Sequence, residues 1–195
     1  MNLRRFTKST SIAGGEGKTE EVFLKYLKQI YLKGDYEHSI HIPTTTNGGD
    51  PICVAKKIMN TLQNRTTDAI LIFLDNDRAK GYSCETIIMS AKKKCPLAIR
   101  QKVPCLSKCI KTFPCTEGLL LRIAGHKIYS DSSLCKEKFE KIFKKNAAQF
   151  RDIDYAKYFP KNILDNKRSE ILELDELIKY FEIATKVEFI NYFGR

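Results

Sequence analysis

The apolar positions along the chain change period from segment to segment, and those changes predict its elements. Between Asp68 and Asp77 six apolar residues follow one another, AILIFL, as in a strand covered on both faces. Upstream, Val22, Phe23, Tyr26, Leu27 and Ile30 fall three and four apart, which predicts an amphipathic helix over 19–33. Thr19 is its expected N-cap, and Glu20 and Glu21 suit its first turn. Shorter signals surround these two. TSIA (10–13) and HSIHIP (38–43) read as strands, and TTTNGGDP (44–51) as a turn-rich loop. Asp50 caps and Pro51 opens a helix to about Leu62. A helix is expected over 82–94, a strand at KCIKTF (108–113), and a helix over 116–125 that ends at Gly125.

Strand and helix alternate as far as Gly125. Such alternation needs crossover connections, so the expected fold is α/β, a Rossmann-like, mostly parallel sheet flanked by helices. Beyond Gly125 the texture changes. DSSLCKEKFEKIFKKNAAQF reads as one capped amphipathic helix, and RSEILELDELIKYFEIATKVEFINYF as a longer one. Residues 1–125 are therefore expected to form the core, and residues 126–195 a C-terminal helical extension packed on it.

Composition adds three points. Of 195 residues, 43% are hydrophobic and 29% charged, ordinary for a globular protein. No apolar run approaches the ~20 residues of a membrane span. The start, MNLRRFTKSTS, has arginines but no apolar h-region, so a cytoplasmic protein with no membrane partner is expected. The seven cysteines include no C-x-x-C pair and the three histidines follow no ligand pattern, so free thiols are expected rather than a zinc site. His38 and His41 flank a strand and read as structural or exposed. The formal net charge of +11 favours a polyanionic partner, nucleic acid foremost, DNA or RNA. Lys92, Lys93, Lys94, Arg100 and Lys102 are the candidate phosphate-tracking positions, whereas Lys144 and Lys145 read as a solvated helix face.

The candidate chemistry is acidic. In open parallel sheets, sites form outside the carboxyl ends of the strands. Glu16 follows the first strand through a Gly-Gly turn, Asp75 and Asp77 close the apolar strand as LDND, and Glu117 opens the helix after the next strand. Carboxylates brought together repel unless a divalent cation sits among them, and Mg²⁺ or Mn²⁺ accepts such hard oxygen ligands. Two rival readings use the same residues. IAGGEGKT nearly fits the phosphate loop of a P-loop NTPase, but Ile12 stands where its first glycine belongs, and Glu16 would face the phosphates. A non-catalytic nucleic-acid-binding module would need only the basic clusters.

The order EGKTEE, then an apolar strand ending DND, resembles the Toprim domain, the catalytic fold of topoisomerases, bacterial-type primases and several nucleases. FPCTEGLLLRI (113–123) is similar to a segment of the RloB-like Toprim proteins, which are linked to prokaryotic defence loci. The resemblance covers about residues 11–125. It implies a metal-dependent nuclease that cleaves phosphodiesters in an anti-phage setting. It implies Glu16, Asp75, Asp77 and Glu117 around Mg²⁺ or Mn²⁺, Glu16 or Glu20 for proton transfer, and Lys18 and Arg78 near the phosphate. It also implies a separate ATPase partner protein and leaves a homo-oligomer open.

Overall fold

The computed structural model describes residues 9–32, 38–44 and 49–194. Four strands form one sheet in the order β2-β1-β3-β4, with every neighbouring pair parallel. They are β1 (Ser9–Gly15), β2 (His38–His41), β3 (Ala69–Asp75) and β4 (Leu106–Thr112). The helices, in chain order, are α1 (Lys18–Tyr31), α2 (Pro51–Asn60), α3 (Asn76–Ala79), α4 (Cys84–Lys93), α5 (Leu97–Arg100), α6 (Thr116–Ile123), α7 (Ser132–Phe143), α8 (Asp152–Tyr158), α9 (Lys161–Lys167), α10 (Leu172–Glu182) and α11 (Lys186–Phe193). The expected α/β class with a parallel, helix-flanked sheet is the one observed.

β3 is flanked on both sides, and all of its residues are buried. That double cover is why its sequence is an unbroken apolar run. Its side chains alternate between two cores. Ile70, Ile72 and Leu74 meet Val54, Ile58 and Met59 of α2 and Ile87 and Ala91 of α4. Ala69, Leu71 and Phe73 meet Phe23 and Leu27 of α1, Leu119 and Leu120 of α6, and apolar residues of the C-terminal helices. The sheet is thus the middle of three layers.

β1 is the less obvious inner strand, because STSIAGG is small and polar. It runs two residues beyond the expected 10–13 at its carboxyl end and is almost wholly buried. Its polar side chains are satisfied in place. The Ser11 hydroxyl lies 2.7 Å from His38 Nε2 and 2.6 Å from the Tyr180 hydroxyl. Thr10 donates from its backbone N–H to Asp68 Oδ2 at 2.7 Å.

The segment after Gly125 shares the core rather than standing beside it. α1 is amphipathic on the sheet side, yet Phe23 and Tyr26 also stack on Tyr155 of α8, with ring centroids 5.7 and 5.2 Å apart. The Tyr26 hydroxyl donates to the Phe159 carbonyl at 2.8 Å, and the Tyr31 hydroxyl to Asp165 Oδ1 at 2.8 Å. One apolar cluster runs from Ala13 through α1 and α6 to Phe193.

Several boundaries differ from the sequence expectation. α1 starts at Lys18 with Gly17, not Thr19, as its N-cap, because the Glu20 carboxylate reaches back to the Gly17 N–H at 2.7 Å. The expected strand over 68–77 stops at Asp75, and Asp77 belongs to α3. The single helix expected over 131–150 stops at Phe143, where Lys144 adopts a left-handed conformation (φ 55°). The longer helix expected over 168–193 is two. It breaks at Ile183–Thr185, where Thr185 and Glu188 form a reciprocal cap, with backbone-to-side-chain bonds of 3.1 Å in both directions. The break turns Phe189 towards His38 and Phe193 towards Tyr180. Residues 151–167, unassigned from sequence, supply α8 and α9. The first eight residues, the expected end of the first helix at Lys33, and residues 45–48 of the turn-rich loop lie outside the described residues. No helix among the described residues is long and apolar enough to cross a membrane.

Candidate metal centre

The carboxyl ends of β1, β3 and β4 lie side by side, and each delivers acid to one place. Glu16 follows β1 directly and is 5% exposed. Its Oε1 accepts the Asp75 backbone N–H at 3.0 Å, which fastens the end of β1 to the end of β3. Gly15 makes room for the next acid: a Cβ there would stand 2.2 Å from Glu20 Cβ. Glu20, in the first turn of α1, therefore packs over the strand end and is buried.

Asp75 ends β3 and is buried. Its Oδ1 accepts three bonds, from the Thr116 N–H at 2.8 Å, the Thr116 hydroxyl at 2.9 Å and the Thr112 hydroxyl at 3.2 Å. Those donors fix the carboxylate and leave Oδ2 outside that set. Past β4 the chain turns through Pro114 into α6, whose N-cap is Cys115 and whose first turn holds Thr116 and Glu117. Gly118 permits the turn, since a Cβ there would meet Pro114 Cδ at 2.7 Å and the Phe113 carbonyl at 3.3 Å. Ligand atoms of Asp75, Cys115 and Glu117 all lie within 4.8 Å of one another. Thr19 joins this group from α1, its hydroxyl 3.5 Å from Glu117 Oε1.

The electrostatics follow from burial. Desolvation, and then the charge of Asp75, push Glu16 up to about 8. Desolvation and Asp75 also push Glu20 up to about 7. Asp75 itself rises to about 6, from desolvation and then Glu117, against the bonds from Thr116. Burial, and then Glu117, push the Cys115 thiol well up, which keeps it protonated. Among the described residues, positive charge compensates the ionised site only in part. One guanidinium stands at its edge, with Arg78 Nη1 3.6 Å from Glu16 Oε2.

The donor set fits a hard divalent cation. Its oxygens come from Asp75 and Glu117, and its one sulfur, that of Cys115, is a protonated thiol, a poor ligand for Mg²⁺ or Mn²⁺; Glu16, expected as a ligand, is not one of the three grouped residues and borders the set through the Asp75 N–H. A cation would relieve the repulsion that raises Glu16 and Asp75.

Other expected site residues stand apart. Asp77, expected as a metal ligand, is exposed on α3 and is not one of the three grouped ligand residues. The cause is the helical turn that begins straight after Asp75, which rotates Asp77 outward. Lys18 Nζ pairs with the buried Glu21 at 3.1 Å, which also holds Lys25. Lys92, Lys93 and Lys94 close α4. Arg100 donates to the Lys93 and Cys95 carbonyls and Lys102 to the Gln63 carbonyl. Among the described residues, none of these five supplies a hydrogen bond or ion pair to the carboxylates. Gly14 and Gly15 belong to β1, in register with Ile72 and Phe73, so the glycines a phosphate loop would wrap around a nucleotide are sheet residues.

Sequence reasoning missed four contributors. Thr112, Cys115 and Thr116 had a local signal, since each is a polar or thiol residue at a strand end beside Glu117. Lys136 on α7 had none. α7 docks on the start of α6, where Cys115 Sγ reaches the Ser132 carbonyl at 3.9 Å. Burial disfavours the Lys136 ammonium, but Glu117 and Asp75, and then Cys115 and Asp77, outweigh it and raise its pKa. Lys136 is thus an exposed cation in the field of the cluster.

No family model, no curated protein and no solved structure matches this chain.

Proposed function

We propose that this protein is a metal-dependent nuclease of the Toprim type, of the RloB-like kind, that hydrolyses nucleic-acid phosphodiesters in an anti-phage system. One observation carries the reading: buried carboxylates from three strand ends converge, and burial and mutual charge raise the proton affinities of Glu16, Glu20 and Asp75 towards neutrality. Burial and like charge both oppose ionisation there, and a bound cation would offset both.

Asp75, Glu117 and Glu16 would hold Mg²⁺ or Mn²⁺. Bound there, the ion would polarise the scissile phosphate and activate a water. Thr116 and Thr112 orient Asp75 through its Oδ1. Glu20, one of whose carboxylate oxygens is held by the Gly17 N–H, takes the proton of the attacking water. Arg78 and Lys136, both exposed at the rim, bind phosphate oxygens and offset the charge of the transition state. Lys18 supports this machinery through Glu21. The charge of +11 supplies sequence-independent affinity. A separate ATPase partner belongs to the same proposal.

The test is cleavage of plasmid DNA and of tRNA with Mg²⁺ or Mn²⁺, with Asp75→Ala beside wild type. Metal-dependent cutting that the variant loses is the expected result. Equal cutting by Asp75→Ala refutes the site, and tight binding without cutting under either metal moves the reading to a binding module.

A further inference from the structure

α7 begins at the metal centre and carries cations away from it. Cys115, one of the three grouped ligand residues, reaches the Ser132 carbonyl with its Sγ at 3.9 Å, and a Cβ on Gly118 would stand 3.6 Å from Cys135 Sγ. The first turn of α7 is therefore packed on the first turn of α6. From there the helix runs for 12 residues, a rise of about 18 Å at ~1.5 Å each. Cys135, Phe139 and Phe143 bury one face of it. Leu134, Lys138 and Lys141, spaced four and three apart, share another face, and Lys144 is the C-cap.

That second face lines a groove of about 770 Å³ together with Tyr129, Glu137 and Lys144. Tyr129 is 47% exposed, and Lys138 Nζ stands over its ring, 5.4 Å from the centroid. Lys138 also donates to the Lys127 carbonyl, which holds its ammonium in place. Lysines further along the chain are matched to acids: Lys145 to Asp154, Lys161 to Asp165, Lys167 to Glu170 and Lys179 to Asp175. Among the described residues, Lys141 and Lys144 have no ion pair and no side-chain hydrogen bond. Glu137 is the one acid lining the groove, against three lysines.

We propose that this groove binds single-stranded nucleic acid, with phosphates on Lys141 and Lys144 and an unpaired base against Tyr129. The inference rests on the nuclease reading and deepens it, by naming the face along which the substrate leaves the metal centre. An excess of unmatched cations suits a polyanion. An exposed aromatic ring among them suits a polyanion that also carries flat faces. A paired base hides its face in the stack, so the partner is single-stranded. An anionic lipid surface has the charge but nothing to stack on the ring. On the phosphate track expected from sequence, by contrast, Arg100 and Lys102 already donate to backbone carbonyls.

The experiment follows the anisotropy of a fluorescein-labelled oligothymidylate with the full chain in chelator, across a salt series, so that no cleavage enters the readout. Lys141→Gln combined with Lys144→Gln should lower the salt slope of the affinity by about 1.4, at about 0.7 per phosphate of a single strand. Tyr129→Ala should weaken binding roughly ten-fold, and Tyr129→Phe should bind like wild type. Lys92→Gln combined with Lys93→Gln should lower the slope less than the α7 pair does. An equal or larger loss in that second pair overturns the proposal. So does wild-type affinity in Tyr129→Ala, or a duplex of the same length that competes as well as the single strand. Phosphatidylserine vesicles that bind through Lys141 and Lys144 while the oligothymidylate does not bind overturn it too. Groove-dependent binding by a wild type that cuts nothing under Mg²⁺ or Mn²⁺ upholds the groove and sinks the nuclease reading. Metal-dependent cutting by a wild type whose α7 variants bind unchanged does the reverse.

Discussion

Replacing Glu20 with glutamine removes one charge from the carboxylate cluster and little else. The amide keeps an oxygen to accept the Gly17 N–H, so the start of α1 survives. The wild-type carboxyl rises from 4.5 to about 7 on folding. The folded chain therefore binds more protons than the unfolded chain between those values. The resulting penalty is absent below the unfolded value, grows with pH, and is complete above the folded one. From 4.5 to about 7, at about 1.4 kcal/mol per pH unit, the full penalty is about 3 kcal/mol. Part of it arises from repulsion with Asp75 and Glu117 and is shared with them. Relief of about 2 kcal/mol by Glu20→Gln is the working figure, or roughly 4–8 °C in Tm for a chain of this size. The assay is thermal unfolding of metal-free protein, in chelator, at about pH 8 and at about pH 4, below the unfolded value. Glu20→Gln should be the more stable protein at the higher pH and nearly equal to wild type at the lower. A variant equally or less stable at both pH values would refute the electrostatic account of the site.

Mg²⁺ or Mn²⁺ should raise the wild-type Tm more at about pH 8 than at about pH 5, where protonation of Glu16, Glu20 and Asp75 competes with the ion, and Asp75→Asn should remove most of the rise in a thermal-shift titration. Lys136→Gln should lower Tm only slightly, because an exposed cation is lost from the field of the acids, but weaken nucleic-acid binding and reduce the salt slope of the affinity by about 1, as measured by fluorescence anisotropy across a salt series. Tyr155→Ala removes the ring that stacks on both Phe23 and Tyr26, and urea titration should find about 3–5 kcal/mol less stability, even though the substitution lies outside the segment that alternates strand and helix.

The acids at the site were legible because parallel alternation forces strand carboxyl ends onto one edge of the sheet. Any carboxylate placed just after a strand is then a candidate, which picks out Glu16, Asp75 and Glu117 without knowledge of their contacts. The same argument overreached at Asp77, two residues past the strand end, because it could not see that a helical turn starts at Asn76. It could not see the competition for Lys18 either, which a fully buried Glu21 wins one helical turn away. The basic run at Lys92–Lys94 was an equally local signal, and its place at the end of α4 depends on how that helix crosses the sheet.

What the sequence alone determined is whatever depends on neighbours along the chain: the doubly covered strand, the helix periods, the cap at Asp50, and the acids that follow strands. What only the tertiary structure decided depends on neighbours across it. Small, polar β1 is an inner strand because β2, β3 and the Tyr180 hydroxyl satisfy it from three sides. The helices after Gly125 belong to the core because α1 offers them a second apolar face. Glu16, Glu20 and Asp75 hold their protons tightly because burial and mutual repulsion act through space, and no period or spacing records either.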